Sequence, residues 1–170
     1  MRNGRTAVLG IDAPNIKQQK SYKYVWGIVQ SPKARQNFAE MVAHFARQEA
    51  ELDVLPVHSS MESLQQEGLQ PALNVDRARA ESFARQLGCK TYMMAHVERW
   101  RFSYFFFHQK GDIQFELLGY SVGTEQPIWR AEVSHQQRGK SEREVAIEAL
   151  QALFKKLDRE KTLRNVDIGN

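Results

Sequence analysis

The run MMAHVERWRFSYFFFHQKGDIQFELLGYSVGTEQPIWRAEVSH, residues 93–135, decides the fold. Trp100, Phe102, Tyr104 and Phe106 fall on one parity and Arg99, Arg101 and Ser103 on the other, the period of two that a strand imposes on its side chains. Gln109-Lys110-Gly111-Asp112 reads as a tight turn, after which Ile113, Phe115 and Leu117 alternate with Gln114 and Glu116 in a strand reaching about Val122. With Lys110-Gly111 as a two-residue loop, Phe106 faces Phe115, Tyr104 faces Leu117 and Arg101 faces Tyr120, a register that sets rings against apolar groups. A second turn at residues 123–127 leads into residues 128–135, where Trp129, Ala131 and Val133 alternate with Arg130, Glu132 and Ser134. The expected unit is an antiparallel meander.

Upstream, the pattern changes to strand and helix in turn. TAVLGI, residues 6–11, ends in Asp12-Ala13-Pro14 as a buried strand does on leaving a sheet. Ser31-Pro32 supplies an N-cap and a proline at the first helical position, and Phe38, Met41, Val42 and Phe45 recur at i, i+3, i+4 and i+7, which predicts a helix over 32–50. LDVLPV, residues 52–57, reads as an outer strand, because Pro56 has no N–H for a ladder. A short helix is expected over 60–67. A further helix is capped by Asn74 or Asp76, carries Ala80, Phe83, Ala84 and Leu87 on one face, and stops at Gly88. A long strand begins at Cys89. The last helix opens on the capping box Ser141-Glu142-Arg143-Glu144, packs by Ala146, Leu150, Leu153 and Leu157 with Phe154 beside them, and ends near Lys161. The whole predicts one α/β domain over 1–170, with loose tails at 1–5 and 162–170. Its order is β-α-β-α-α-β-β-β-α, a three-layer-like mixed sheet with a C-terminal antiparallel meander and helices packed on it.

Composition narrows the function classes. A chain of 170 residues with 42% hydrophobic and 26% charged residues can bury a sizeable core, and no apolar run approaches the ~18 residues of a spanning helix. The lone Cys89 excludes an internal disulfide framework and reads as a small buried residue. With 24 basic and 20 acidic residues interspersed, the net charge of +4 speaks for solubility before it speaks for phosphates. Met1-Arg2-Asn3-Gly4-Arg5 enters the first apolar run without a secretory signal, so either the protein is cytosolic or a leader was removed ahead of it.

Several local phrases, in order, resemble a group of bacterial envelope lipoproteins. They are Ala7-Val8-Leu9, then Ser63-Leu64-Gln65-Gln66-Glu67-Gly68-Leu69, Ala84-Arg85-Gln86-Leu87-Gly88, Tyr92-Met93-Met94-Ala95-His96-Val97 and Gly123-Thr124-Glu125-Gln126-Pro127-Ile128-Trp129. The soluble domain of the curli-secretion lipoprotein CsgG, the N-terminal domain of TolB and the penicillin-binding-protein activator lipoproteins share such phrases. The resemblance implies a non-enzymatic domain of the periplasm or outer membrane, lipid-anchored, that binds partner proteins or itself in secretion or cell-wall machinery. Two departures stand out: no lipobox cysteine is present, and Ser121-Val122 replaces the aspartate usual before the last turn.

Two surfaces are expected to make contacts. Residues 15–30 carry Tyr22, Tyr24 and Trp26 among Lys17, Lys20 and Lys23, aromatic and cationic groups of the kind that dominate interfaces, although the same segment could fold back over the core. At the hairpin tip, successive phenylalanines put Phe105 and Phe107 on the face opposite Phe106, so they need cover from a subunit, a partner, a membrane surface or the N-terminal loop. Arg99, Trp100 and Arg101 complete the candidate partner-binding set. With Lys17, Lys20 and Lys23 they also define a rival reading, a cytosolic nucleic-acid-binding module in which rings stack on bases. A third reading is a small hydrolase around Asp12, His58 and Ser59, brought together if the first two strands are parallel neighbours; against it, no G-x-S-x-G elbow is present, and Ser59 or Ser60 serves as a helix cap. The histidines show no ligand spacing and no glycine-rich phosphate loop occurs, so neither metal nor cofactor is expected.

Overall fold

The structure, a computed structural model, describes residues 4–12, 32–105 and 108–167; within these, residues 32–34, 102–105, 108–109 and 161–167 are described by backbone alone. Its elements run β1 (Thr6–Asp12), α1 (Pro32–Ala50), α2 (Val57–Gln66), α3 (Arg77–Gln86), β2 (Thr91–Phe105), β3 (His108–Ser121), β4 (Trp129–Arg138) and α4 (Glu142–Asp167). The strands form one four-stranded mixed sheet in the order β1-β2-β3-β4, with β1 parallel to β2 and the remaining pairs antiparallel. This is the α/β architecture that the sequence pattern predicts.

Helices cover the sheet on both faces. On one, Phe38, Val42 and Ala46 of α1 and Val145, Leu150 and Phe154 of α4 bury Val8, Met93, Val97, Trp100, Ile113, Phe115 and Leu117. On the other, Leu64 of α2 and Ala80, Phe83 and Ala84 of α3 close over Ala7, Leu9, Tyr92 and Tyr120, whose two tyrosine rings stack with centroids 5.2 Å apart. β1 is buried from Thr6 to Ile11, as befits a strand sandwiched between two layers.

The caps behave as the local chemistry requires. Asp76, and not Asn74, caps α3 by accepting the Arg79 N–H at 2.8 Å, and Gly88 takes a positive φ of 66° just past its end. Ser141 and Glu144 form the reciprocal box, the Ser141 N–H donating to the Glu144 carboxylate at 2.8 Å and the Glu144 N–H to Ser141 Oγ at 3.3 Å. α4 runs on to Asp167 because no glycine or proline interrupts the chain between Lys161 and that point.

Three expectations are corrected. Residues 52–57 are not a strand: Val54 makes an isolated parallel bridge to Thr6, and the chain turns at Pro56 so that α2 begins at Val57, three residues earlier than expected. The hairpin does not turn at Lys110-Gly111. Its last pair is Phe105 with His108, so Lys110 and Gly111 lie inside β3, opposite Ser103 and Phe102. Phe115 therefore meets Val97 and not Phe106, Leu117 meets Ala95, and Tyr120 meets Tyr92. The glycine serves packing: a Cβ there would come within 2.9 Å of the Ser141 carbonyl and the Glu142 N–H, where the start of α4 crosses the strand. A bulge between Val97 and Arg99 then restores the parity, keeping Val97 and Trp100 together on the buried face.

Two stability measurements follow. Phe38 stands edge-on to Trp100 and Phe115 at centroid distances of 5.5 and 5.3 Å, and Phe38→Ala is expected to cost ~3–5 kcal/mol in urea unfolding. Gly111→Ala is expected to cost ~1–3 kcal/mol with an unchanged denaturant slope, because the methyl meets backbone on α4 that cannot move aside cheaply.

Candidate interaction surface

α2 and α3 cover only the β1 side of their face of the sheet. Beyond them the meander presents a polar face, on which two ion pairs cross between strands: Arg99 Nε to Asp112 Oδ1 at 3.0 Å and Arg130 Nε to Glu116 Oε1 at 2.7 Å. Glu132 lies directly across from Glu116 in the β3–β4 register and has no ion pair among the described residues. On the opposite face of β4, Ala131 and Val133 with Ala149, Ala152, Leu153 and Leu157 of α4 line a groove of about 670 Å³, rimmed by Arg130, Glu132, Glu148, Lys156 and Glu160. Ala146, Leu150 and Phe154 are buried as expected, joined by Val145, whereas Leu153 and Leu157 are only partly buried against the core. Ile128, just before β4, is 54% exposed.

The predicted site residues separate. Tyr22, Tyr24, Trp26, Lys17, Lys20, Lys23 and Phe107 lie outside the described residues. Phe105 ends β2 opposite His108. Arg99 and Arg101 are on the polar face, but Trp100 is 3% exposed and packs on Phe38, so it offers no stacking platform to a base or a partner. The hydrolase trio is not assembled. Asp12 ends β1 and meets His96 of β2 at 2.9 Å, whereas His58 pairs with Glu62 at 3.0 Å and its backbone N–H donates to Glu40. Ser59 lines a shallow hollow with Arg5, at the other end of β1 from Asp12. Among the described residues no group of three histidine, cysteine or acidic side chains could hold a metal, and no helix is long and apolar enough to cross a membrane.

The shifted titrations have structural causes. Glu81 of α3 accepts from Arg85 at 2.6 Å, Arg77 at 3.2 Å and the Gly123 N–H at 3.0 Å, which ties the helix to the turn before β4. The Arg85 hydrogen bond, ahead of the other contacts, holds its carboxyl below the usual range. Burial pushes the Tyr92 phenol and the Cys89 thiol up, leaving the thiol a poor nucleophile. Neither combines with a base or an oxyanion cradle. Sequence reading passed over Glu132 and the outer side of α4; the signal was there in the alanines at 149 and 152 beside the leucine stripe, and in a strand without proline or lysine between Trp129 and Arg138.

No protein-family model and no curated protein matches this sequence. Among solved structures, the chain is similar to lipoprotein GNA1162 from Neisseria meningitidis, at 15% identity and a TM-score of 0.58 over 91% of this chain and 98% of that one. It is similar to the PelC dodecamer from Paraburkholderia phytofirmans, at 17% identity and a TM-score of 0.57 over 92% and 89%. The LpoB C-terminal domain from Escherichia coli follows at 14% identity and a TM-score of 0.51 over 79% and 84%. The chain shares their fold. The lipoprotein resemblance read from the sequence thus has a counterpart in structure, while the narrower likeness to CsgG and TolB stays one of sequence phrases.

Glu81 generates a pH prediction. Its folded carboxyl binds a proton less readily than an ordinary one of pKa about 4.3, so its contribution is present above that value and is lost as pH falls through the lower folded one. Glu81→Gln should therefore melt below the unsubstituted protein at neutral pH, and the gap should close on acidification below about pH 4, read by thermal scans across pH.

Proposed function

We propose that this chain is the non-catalytic domain of a bacterial envelope lipoprotein, acting by binding partner proteins or by assembling with itself in secretion or cell-wall machinery. The observation that carries it is the combination of a fold shared with lipoproteins and an apolar groove beside the β4 strand, with no convergent catalytic groups among the described residues. The PelC structure, itself a dodecamer, lends weight to self-association. On the polar face Arg99 and Arg130 are each matched by a carboxylate, which removes two cations from those open to a phosphate backbone.

Fractionation of bacteria carrying a tagged copy at its own locus is expected to find the protein with the envelope, and in vivo crosslinking to trap it on proteins. A wholly cytosolic distribution would overturn the reading. Titration of labelled single-stranded oligonucleotide at low salt is expected to give no binding; tight binding that falls steeply with salt would replace it with the nucleic-acid alternative.

A further inference from the structure

We infer that β4 is a self-association edge, on which a second copy of this chain adds its own β4 antiparallel, so that two sheets become one continuous eight-stranded sheet. The inference rests on the binding-domain reading above and names its partner.

The two outer strands of the sheet are treated differently. At β1, the Thr6 N–H donates to Asp53 at 2.8 Å, Leu55 donates back to Thr6 at 2.9 Å, and the Ile11 N–H donates to Leu73 at 2.6 Å, so that edge is tied down near both of its ends. At β4, the outermost strand after β3, no described segment lies along the outer edge. Its 10 residues, WRAEVSHQQR, contain no proline or lysine, and its pairing with β3 has no bulge. Proline, lysine and bulges are among the devices by which sheets keep other strands away, and β4 has none of these three, although it carries charge at Arg130, Glu132 and Arg138.

Charge selects the occupant. Residues facing each other across an antiparallel pair lie on the same face, so a self-pairing must centre on a residue. Centred on Ala131, it sets Arg130 against Glu132 of the second copy and Glu132 against its Arg130. That supplies the cation Glu132 lacks where it faces Glu116, and the Arg130 guanidinium, with donors to spare, can bridge both carboxylates. On the other face the smallest side chain of the strand, Ala131, meets its own copy. The grooves beside it then bring Ala149, Ala152 and Leu153 of the two α4 helices toward each other. Centring on Glu132 would oppose two carboxylates, and centring on Ser134 would oppose Arg130 and Arg138. Two registers set opposite charges together, the one centred on Ala131 and one centred on His135 that faces Glu132 with Arg138, and only the first brings a cation to Glu132 from its own neighbour Arg130.

Sedimentation velocity on the full chain over a micromolar concentration series tests this. The unsubstituted protein is expected to show a monomer–dimer equilibrium that weakens with salt. Glu132→Arg, which opposes Arg130 with arginine twice by symmetry, should raise the dimer Kd at least about tenfold. The double variant Arg130→Glu with Glu132→Arg should recover it to within about threefold, because the pair is re-formed with its signs exchanged. Circular dichroism and melting temperature confirm that each variant is folded. A strictly monomeric protein, an assembly that Glu132→Arg leaves unchanged, or a double variant that stays dissociated would each overturn the proposal; the last is the result if the strands pair around His135, where Glu132 faces Arg138. Envelope location is read separately, so a cytosolic dimer would sink the proposed function and leave this inference standing.

Discussion

Phe38 is the contact on which the layered structure turns. Its ring stands nearly perpendicular to Trp100 and Phe115, so one side chain of α1 fixes the helix against β2 and β3 together. Without that wedge, the long hairpin would carry an aromatic face with nothing to bury it, and a two-stranded ribbon in water is marginal at best. α4 lies beside α1, held by Gln151 and Lys155 to Glu49, and extends the same cover to β3 and β4. The bulge before Arg99 matters for the same reason. It lets Val97 and Trp100 share the face that Phe38 seals, and so turns Arg99 and Arg101 outward.

From this packing comes the asymmetry that gives the molecule its character. One sheet face is covered by helices as far as β3 and opens into a groove at β4, the other is covered only near β1, and the outer strands end in unlike ways. Residues 53–55 spend their backbone groups on Thr6, while no described segment pairs with the outer row of β4, which runs beside a groove that α4 lines in part with small and apolar side chains. A buried polar backbone needs partners, and a solvated one tolerates water until a better partner arrives. Recognition by such an edge needs no reactive pocket, in keeping with the dispersal of Asp12, His58 and Ser59 among separate pairs and hollows.

Much of the fold was legible because its signals are local. Asp76 and Gly88 bracket α3, the Ser141 box starts α4, and the alternation through Trp100 and Phe115 marks the strands. What failed was glycine and proline taken as punctuation. Gly111 looks like a turn in one dimension, but its missing side chain makes room for a helix start thirty residues further on. Pro56 was read as the mark of an outer strand, and it stands at the entry to α2. The surface was less legible than the core. Trp100 looks like a contact residue among arginines until the bulge places it inside, and Glu132 draws no notice until the register sets it across from Glu116.

The central claim is that one side of the sheet is sealed within the chain and the other is completed from outside. Backbone hydrogen exchange, followed by mass spectrometry as protein concentration is raised, reads both edges at once. Exchange across Trp129–Arg138 should slow with concentration while that of Thr6–Asp12 stays constant. An exchange rate in β4 that is indifferent to concentration, or protection that grows elsewhere on the sheet, would contradict the account.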